Sequence, residues 1–299
     1  IGEMISDTVV SAVSGSRLGA LGRLEAGADV AGARPVVVDN FAGSIRVEAG
    51  ASGRVEAEAE VRARTQEDVA AVTLTVRPEG DAIQVVCEGG PLPWRNAYAR
   101  LVVRVPAGSP VDATTRGGSV QVNGTGAEVR ARTAGGSIRT SGTAGPADLE
   151  TQGGSIQMED HHGPVEAVTM GGSIAMAGRL GPSVSARTAG GSIRVRGVEG
   201  TVTADTAGGS VHIDGRLTGD CLVTNVGGSV TVVVPADNGL RVDARGVAVS
   251  SDFADLVGGR SELHGTIGAG EDGTLSIRAM AGAVRIRSAS PAGRPAAGR

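Results

Sequence analysis

The sequence predicts an all-β chain wound as a β-solenoid with coils of about 18 residues, an inserted N-terminal β-sheet, and a short N-terminal helix or arm. Three observations carry this reading. Gly-Gly-Ser followed by Val or Ile recurs seven times, beginning at Gly117, Gly135, Gly153, Gly171, Gly190, Gly208 and Gly227, in steps of 18, 18, 18, 19, 18 and 19 residues. Apolar residues flank each motif at every second position, which is the strand period. The chain holds 49 Gly in 299 residues and only four aromatics, Phe41, Trp94, Tyr98 and Phe253. A globular core relies on more aromatic bulk, whereas thin coils fill with Val, Ile, Ala and Thr.

Residues 1–35 stand outside the repeat. Ile5, Val9, Val10, Val13, Leu18 and Leu21 have roughly helical spacing, while Gly15, Gly19 and Gly22 weaken a helix. The segment reads as a short helix or extended arm, and its apolar residues are the candidate assembly element. Residues 36–48, VVVDNFAGSIRVE, fit the repeat template as one coil set apart from the main stack. Residues 53–106 alternate over longer stretches, such as RVEAEAEVRAR and ARLVVRVP, and read as an inserted sheet. Together 36–110 form a first coil with a sheet cap. A loop at 89–99 carries Trp94 and Tyr98.

The regular coils cover 111–234. Six, four and two residues before each reference Gly lie columns running from Val111 to Cys221, from Ala113 to Val223, and from Thr115 to Asn225. Three and five residues after it lie columns from Val120 to Val230 and from Val122 to Val232. The parity flips across the motif, so the Gly pair marks a corner or bulge where a missing Cβ permits unusual backbone angles. The Thr column shares the inward parity and is placed to hydrogen-bond from rung to rung. A second corner falls in turn-forming stretches such as NGTG, EDHHG and AGRLG. Coils stacked about 4.8 Å apart would build a rod of roughly 30 Å. Outward charges complement each other on adjacent coils, with Arg130 over Asp148, Arg132 over Glu150 and Arg187 over Asp205. Residues 235–288 read as a degenerate coil near Leu240, an irregular stretch, and a last coil from Leu275 to Ile286. The tail 289–299 has linker composition.

The GGSI/GGSV repeats, the upstream VVVDNFAGSIRV segment, the LVVRVPAGSPVDATTRGGSV entry and the closing TIGAGEDGTLSIRAMAGAVRIR together resemble the bacterial "putative adhesin" family of β-solenoids, over about residues 36–288. That resemblance implies an extracellular or cell-surface location and a binding or structural role, and it supplies no catalytic residues.

Other chemistries find little footing. A net charge of −4 leaves no nucleic-acid footprint, and no apolar run is long enough to span a membrane as a helix. The first residue is Ile1 rather than Met, which fits a chain trimmed from a longer precursor, with a secretion signal among the candidates. Calcium β-rolls need a regular Asp after the Gly pair, which is missing here. His161 and His162, beside Glu159 and Asp160, read as a solvated acidic turn rather than a metal site. Cys221 occupies an inward Val column and reads as a small buried hydrophobe. The expectation is therefore no enzyme, no cofactor and no metal. The first functional reading is a structural subunit that assembles head to tail into a homo-oligomer or homopolymer, as a filament or surface layer. The alternative is a monomeric adhesin-like module for a glycan or envelope component, with Trp94 and Tyr98 as its candidate binding residues. Against that, Trp94 would serve equally to seal a solenoid end.

Overall fold

The described residues are all-β with one short helix, because apolar side chains alternate with polar ones along nearly every segment. The computed structural model describes residues 9–16, 19–51, 53–90, 97–269 and 272–289. It divides into two compact units, Ile1–Gly171 and Gly172–Arg299.

The first unit contains β1 (Val9–Ser16), β2 (Gly19–Asp29), β3 (Val36–Asn40), β4 (Ile45–Gly50), β5 (Arg54–Ala63), α1 (Gln66–Ala70), β6 (Thr73–Glu79), β7 (Ala82–Glu88) and β8 (Ala97–Pro106). It continues with β9 (Val111–Thr115), β10 (Val120–Asn123), β11 (Val129–Thr133), β12 (Ile138–Ala144), β13 (Ala147–Thr151) and β14 (Ile156–Thr169). Each repeat places one strand in each of two parallel stacks. Strands before the Gly pair stack as β7, β3, β9, β11, β13 and the second half of β14, with Ile83, Val36, Val111, Val129, Ala147 and Val165 in register. Strands after it stack as β8, β4, β10, β12 and the first half of β14, with Leu101, Ile45, Val120, Ile138 and Ile156 in register.

The coil of β3 and β4 thus lies directly beneath the first Gly-Gly-Ser repeat, and the inserted residues supply the next coil beyond it. Antiparallel strands then close this end. β6 pairs with β7, while β5 pairs with β8, β2 with β5, and β1 with β2. Of the two forms expected for residues 1–35, a short helix or an extended arm, the described residues take an extended one, as the β1–β2 hairpin. Ala20, Gly22, Leu24, Ala26 and Ala28 are buried at every second position, which is the strand period. Gly22 lies against Val69 of α1, leaving no room for a side chain there. The single helix is held by a capping box, in which Thr65 Oγ1 accepts from the Asp68 N–H at 3.1 Å and the Thr65 N–H donates to Asp68 at 3.2 Å.

The second unit contains β15 (Ile174–Thr188), β16 (Ile193–Thr206), β17 (Val211–Leu217), β18 (Gly219–Asn225), β19 (Val230–Val234), β20 (Leu240–Arg245) and β21 (Ala248–Ser251). It ends with β22 (Leu256–Gly258), β23 (Glu262–Ile267), β24 (Gly273–Ala279) and β25 (Ala283–Ser288). β15 and β16 pair in parallel along both stacks. One stack continues as β17, β19, β25 and β21, the other as β18, β24 and β20. Spatial order therefore departs from chain order. The last coil, β24 and β25, sits between the coil of β18 and β19 and the coil of β20 and β21. Antiparallel β23 and β22 follow β20. The excursion is pinned by buried Asn238, whose Oδ1 accepts from the Leu217 N–H at 3.0 Å and whose Nδ2 donates to the Leu217 carbonyl at 2.8 Å.

All five inward columns, from Val111 to Cys221 and their four companions, are buried in the two units. Val and Ile dominate, and each fully buried side chain of that size contributes about 1.5–3 kcal/mol.

Candidate functional site

The repeat corner is a rigid device rather than a ligand loop. None of the Gly-Gly-Ser glycines has a left-handed φ, contrary to the expectation of unusual backbone angles. The second Gly is required for a different reason. A Cβ on Gly118, Gly136, Gly154, Gly209 or Gly228 would collide with the carbonyl of the matching Gly one coil before, Gly43, Gly118, Gly136, Gly191 or Gly209. The first Gly is less confined in the first unit, where a Cβ on Gly135 or Gly153 would stand 3.5 Å from its nearest atom.

The Thr column completes the corner. Thr133, Thr151 and Thr169 each donate from Oγ1 to the second-Gly carbonyl of the preceding coil at 2.7 Å, and Thr188 and Thr206 do so at 2.8 Å. Their hydroxyls also accept from the second-Gly N–H of their own coil, at 3.2 Å for Gly154 and Gly191. Asn225 makes both bonds with its amide, at 2.8 and 2.9 Å, which explains why it can end a Thr column. Outside the corner, the Ser137, Ser155, Ser192 and Ser210 N–H groups each donate to the serine Oγ one coil before, at 3.1–3.3 Å.

The predicted site residues fall as follows. Trp94, Ile5 and Leu18 lie outside the described residues. Tyr98 is on β8, 51% exposed, and directly opposite Arg62 on β5. The Arg62 guanidinium donates to Glu60 at 3.2 and 3.4 Å, and Glu60 first, then Tyr98, holds it above its ordinary range. Val9, Val10 and Val13 lie on β1, where Val13 pairs with Leu21 and Val10 with Leu24. Among the described residues β1 has a strand partner on one side only.

The outward faces differ between the units. In the first, Arg130 lies 3.4 Å from Asp148 and 3.6 Å from Asp112, and Arg132 lies 2.7 Å from Asp148 and 3.5 Å from Glu150. These half-exposed pairs each contribute roughly 0–1 kcal/mol and screen with salt. In the second unit, register sets Arg187 beside Asp205. On its other stack, Arg194, His212, Thr231 and Arg285 form one line across the strands, and Arg196, Asp214, Val233 and Arg287 form the next. No family model matches this chain, and no curated protein does. Among solved structures it is similar to a "putative lipid binding protein" from Parabacteroides distasonis ATCC 8503, at 11% identity over 90% of this chain and 97% of that one, with a TM-score of 0.49. It is also similar to a "putative adhesin" from Bacteroides fragilis NCTC 9343, at 9% identity over 89% and 97% of the two chains, with a TM-score of 0.37. A "putative cell adhesion protein" from Clostridium sporogenes ATCC 15579 shares 9% identity over 95% and 100%, with a TM-score of 0.23. Identities and TM-scores this low transfer no ligand.

One inward group corrects the reading of the sequence. Glu159, Asp160 and His162 are exposed as expected, but β14 runs through them in place of a turn, Asp160 takes a φ of 50°, and His161 is swung fully inside. Its Nδ1 lies 2.9 Å from the Thr143 hydroxyl, and burial holds the imidazole below its ordinary range. Cys87 and Cys221 are both free and buried. Burial first, then Asp39 and Glu88, pushes the Cys87 thiol up to about 12, so it is an unreactive core residue at neutral pH. Among the described residues no group of three or more potential metal ligands converges, and no helix is long and apolar enough to cross a membrane.

The cluster of four arginines in the second unit was invisible in the sequence. Residues 285 and 287 reach residues 194 and 196 only because the last coil stacks on β19 ahead of the coil that precedes it in the chain.

Proposed function

We propose that the stacked coils are a β-solenoid and that the chain is a non-enzymatic, extracellular or cell-surface module of adhesin type that binds a glycan or envelope component. The observation that carries this reading is the corner. Backbone contact at the second Gly and paired threonine bonds fix each coil against the next, so outward side chains stand in straight columns at strand spacing. A preorganised array of this kind suits recognition of an extended surface ligand, since little ordering entropy is lost on binding. Antiparallel strands cover β7 and β8 in the first unit and β20 in the second, which weighs for a module over a head-to-tail polymer, because covered edges do not template a further copy.

Isolated envelope polysaccharide, titrated calorimetrically into the purified chain, is expected to bind saturably, with the protein monomeric by light scattering over a hundredfold range of concentration. Absence of binding to every envelope fraction would overturn the reading.

Self-assembly is the second reading, and the observation that favours it is β1, whose outer backbone edge has no strand partner among the described residues. Strand addition there would make the scattering mass climb with concentration, and Val13→Pro would abolish the climb by removing a ladder donor.

A further inference from the structure

The four arginines on the outward face of the second unit have no carboxylate partner among the described residues: Arg194, Arg196, Arg285 and Arg287 make no ion pair. All four are exposed, while their neighbours Ile193, Val195, Val284 and Ile286 point into the core. Three strand spacings separate the two pairs, about 14 Å, and each pair spans about 7 Å along its strand. The chain carries more acid than base, 32 against 28, so a net cationic rectangle, four guanidiniums around the single carboxylate of Asp214, stands against the overall charge. We propose that this face of β16, β17, β19 and β25 binds an acidic polysaccharide, with the four guanidinium groups gripping its carboxylates; the inference rests on the reading of the chain as a glycan-binding module.

The chemistry of the face selects that class. Guanidinium groups bind carboxylates bidentately, and the two pairs lie within about two Debye lengths at physiological salt, so they act on one polyanion together. The face is an open parallel sheet, which suits an extended polymer better than a small molecule. None of its strand positions is Phe, Tyr or Trp, and the lone His212 ring is part-buried, so a single-stranded nucleic acid finds no run of stacking platforms. Its one apolar member between the arginines, Val233, is half-buried, so a bilayer finds no apolar anchor.

His212, in the middle of the rectangle, reports the field. Burial first, then Arg194, Arg196 and Arg287, holds its imidazole below the ordinary range, with Asp214 opposing. The groups facing it are Arg194 and Arg196 on β16, Asp214 on its own strand, and Arg287 and Arg285 on β25; β19 contributes only Thr231 and Val233. Asp252 flanks the face beyond β25, where its carboxylate accepts from the Ser288 N–H at 3.3 Å. A polyanion laid over the arginines would raise the His212 pKa, and binding would take up a proton.

Polygalacturonate is the probe, titrated into the full chain at low and physiological salt, with neutral dextran, a DNA oligomer and phosphatidylserine vesicles as comparators. Polygalacturonate is expected to bind and to weaken steeply with salt, to tighten as pH falls, and to raise the His212 pKa measured by NMR. The double variant R285Q/R287Q should weaken it at least about tenfold, while R130Q/R132Q, on the ion-paired face of the first unit, should leave it unchanged. Unaltered binding by R285Q/R287Q, or equal binding of DNA or vesicles, would overturn the proposal. Binding of a neutral envelope glycan that survives R285Q/R287Q would overturn the acidic site and leave the module reading standing. No binding to any glycan would overturn both.

Discussion

At the scale of single residues, two neighbouring glycines of one motif have separate duties. Gly136 faces the Gly118 carbonyl so closely that a Cβ cannot be placed, whereas a Cβ on Gly135 would stand 3.5 Å from the Gly117 oxygen. Gly136→Ala should therefore cost more than about 3 kcal/mol or abolish soluble expression, and Gly135→Ala should stay within about 1 kcal/mol, both read by urea denaturation. The columns around the motif were readable from parity alone, since a two-residue period across a corner leaves one inward assignment. What could not be read was why Gly is needed, because a backbone approach between coils leaves no trace within one coil. His161 was misread for a related reason. A positive φ at Asp160 reverses which side chain points inward, and acidic neighbours disguise the reversal. Its titration makes a sign-definite prediction. The unfolded chain protonates His161 near 6.5 and the folded chain only at lower pH, so the unfolded state holds more protons in that window. The stability contributed is full above that value and is lost as pH falls through it towards the folded pKa. His161→Leu should flatten the loss of stability between about pH 7.5 and pH 5 relative to the parent chain.

Elements outside the regular repeat were legible as strands but not as neighbours. RVEAEAEVRAR alternates plainly, yet nothing in it says that β5 turns antiparallel onto β8 rather than adding another parallel coil. The N-terminal segment was harder, because short apolar residues at 9, 10, 13 and 21 satisfy a helical spacing as well as a strand one. Burial at every second position of β2 and the close packing of Gly22 on Val69 settle it for the strand. The loop containing Asn238 shows how an excursion is secured. Its amide satisfies both backbone groups of Leu217, so Asn238→Leu leaves a buried N–H and a buried carbonyl without partners. The expected cost is about 2–4 kcal/mol by denaturant unfolding, whereas Asp237→Asn, which touches only the exposed ion pair with Arg216, should leave the unfolding midpoint essentially unchanged.

For the molecule taken whole, protection should follow the ladder rather than the chain. Strands flanked on both sides, β10 to β13 in the first unit and β17, β18, β19, β24 and β25 in the second, have few routes to local opening. β1, β6 and β22 are paired on one side among the described residues and should open first. Hydrogen exchange followed by mass spectrometry should give the slowest amides at residues 275–287, close to the C-terminal end of the sequence. Fast exchange there would show that the last coil is an appendage. The seating of that coil also bears on how the protein is made. Residues 240–267 leave the ribosome before residues 273–288, yet their resting place lies beyond the later segment. A nascent chain halted at residue 270 can bring β20 against β18 only in a pairing that must later be undone. Completion of the second unit therefore waits for the final strands, and that part of the chain stays threadable until its last coil is delivered.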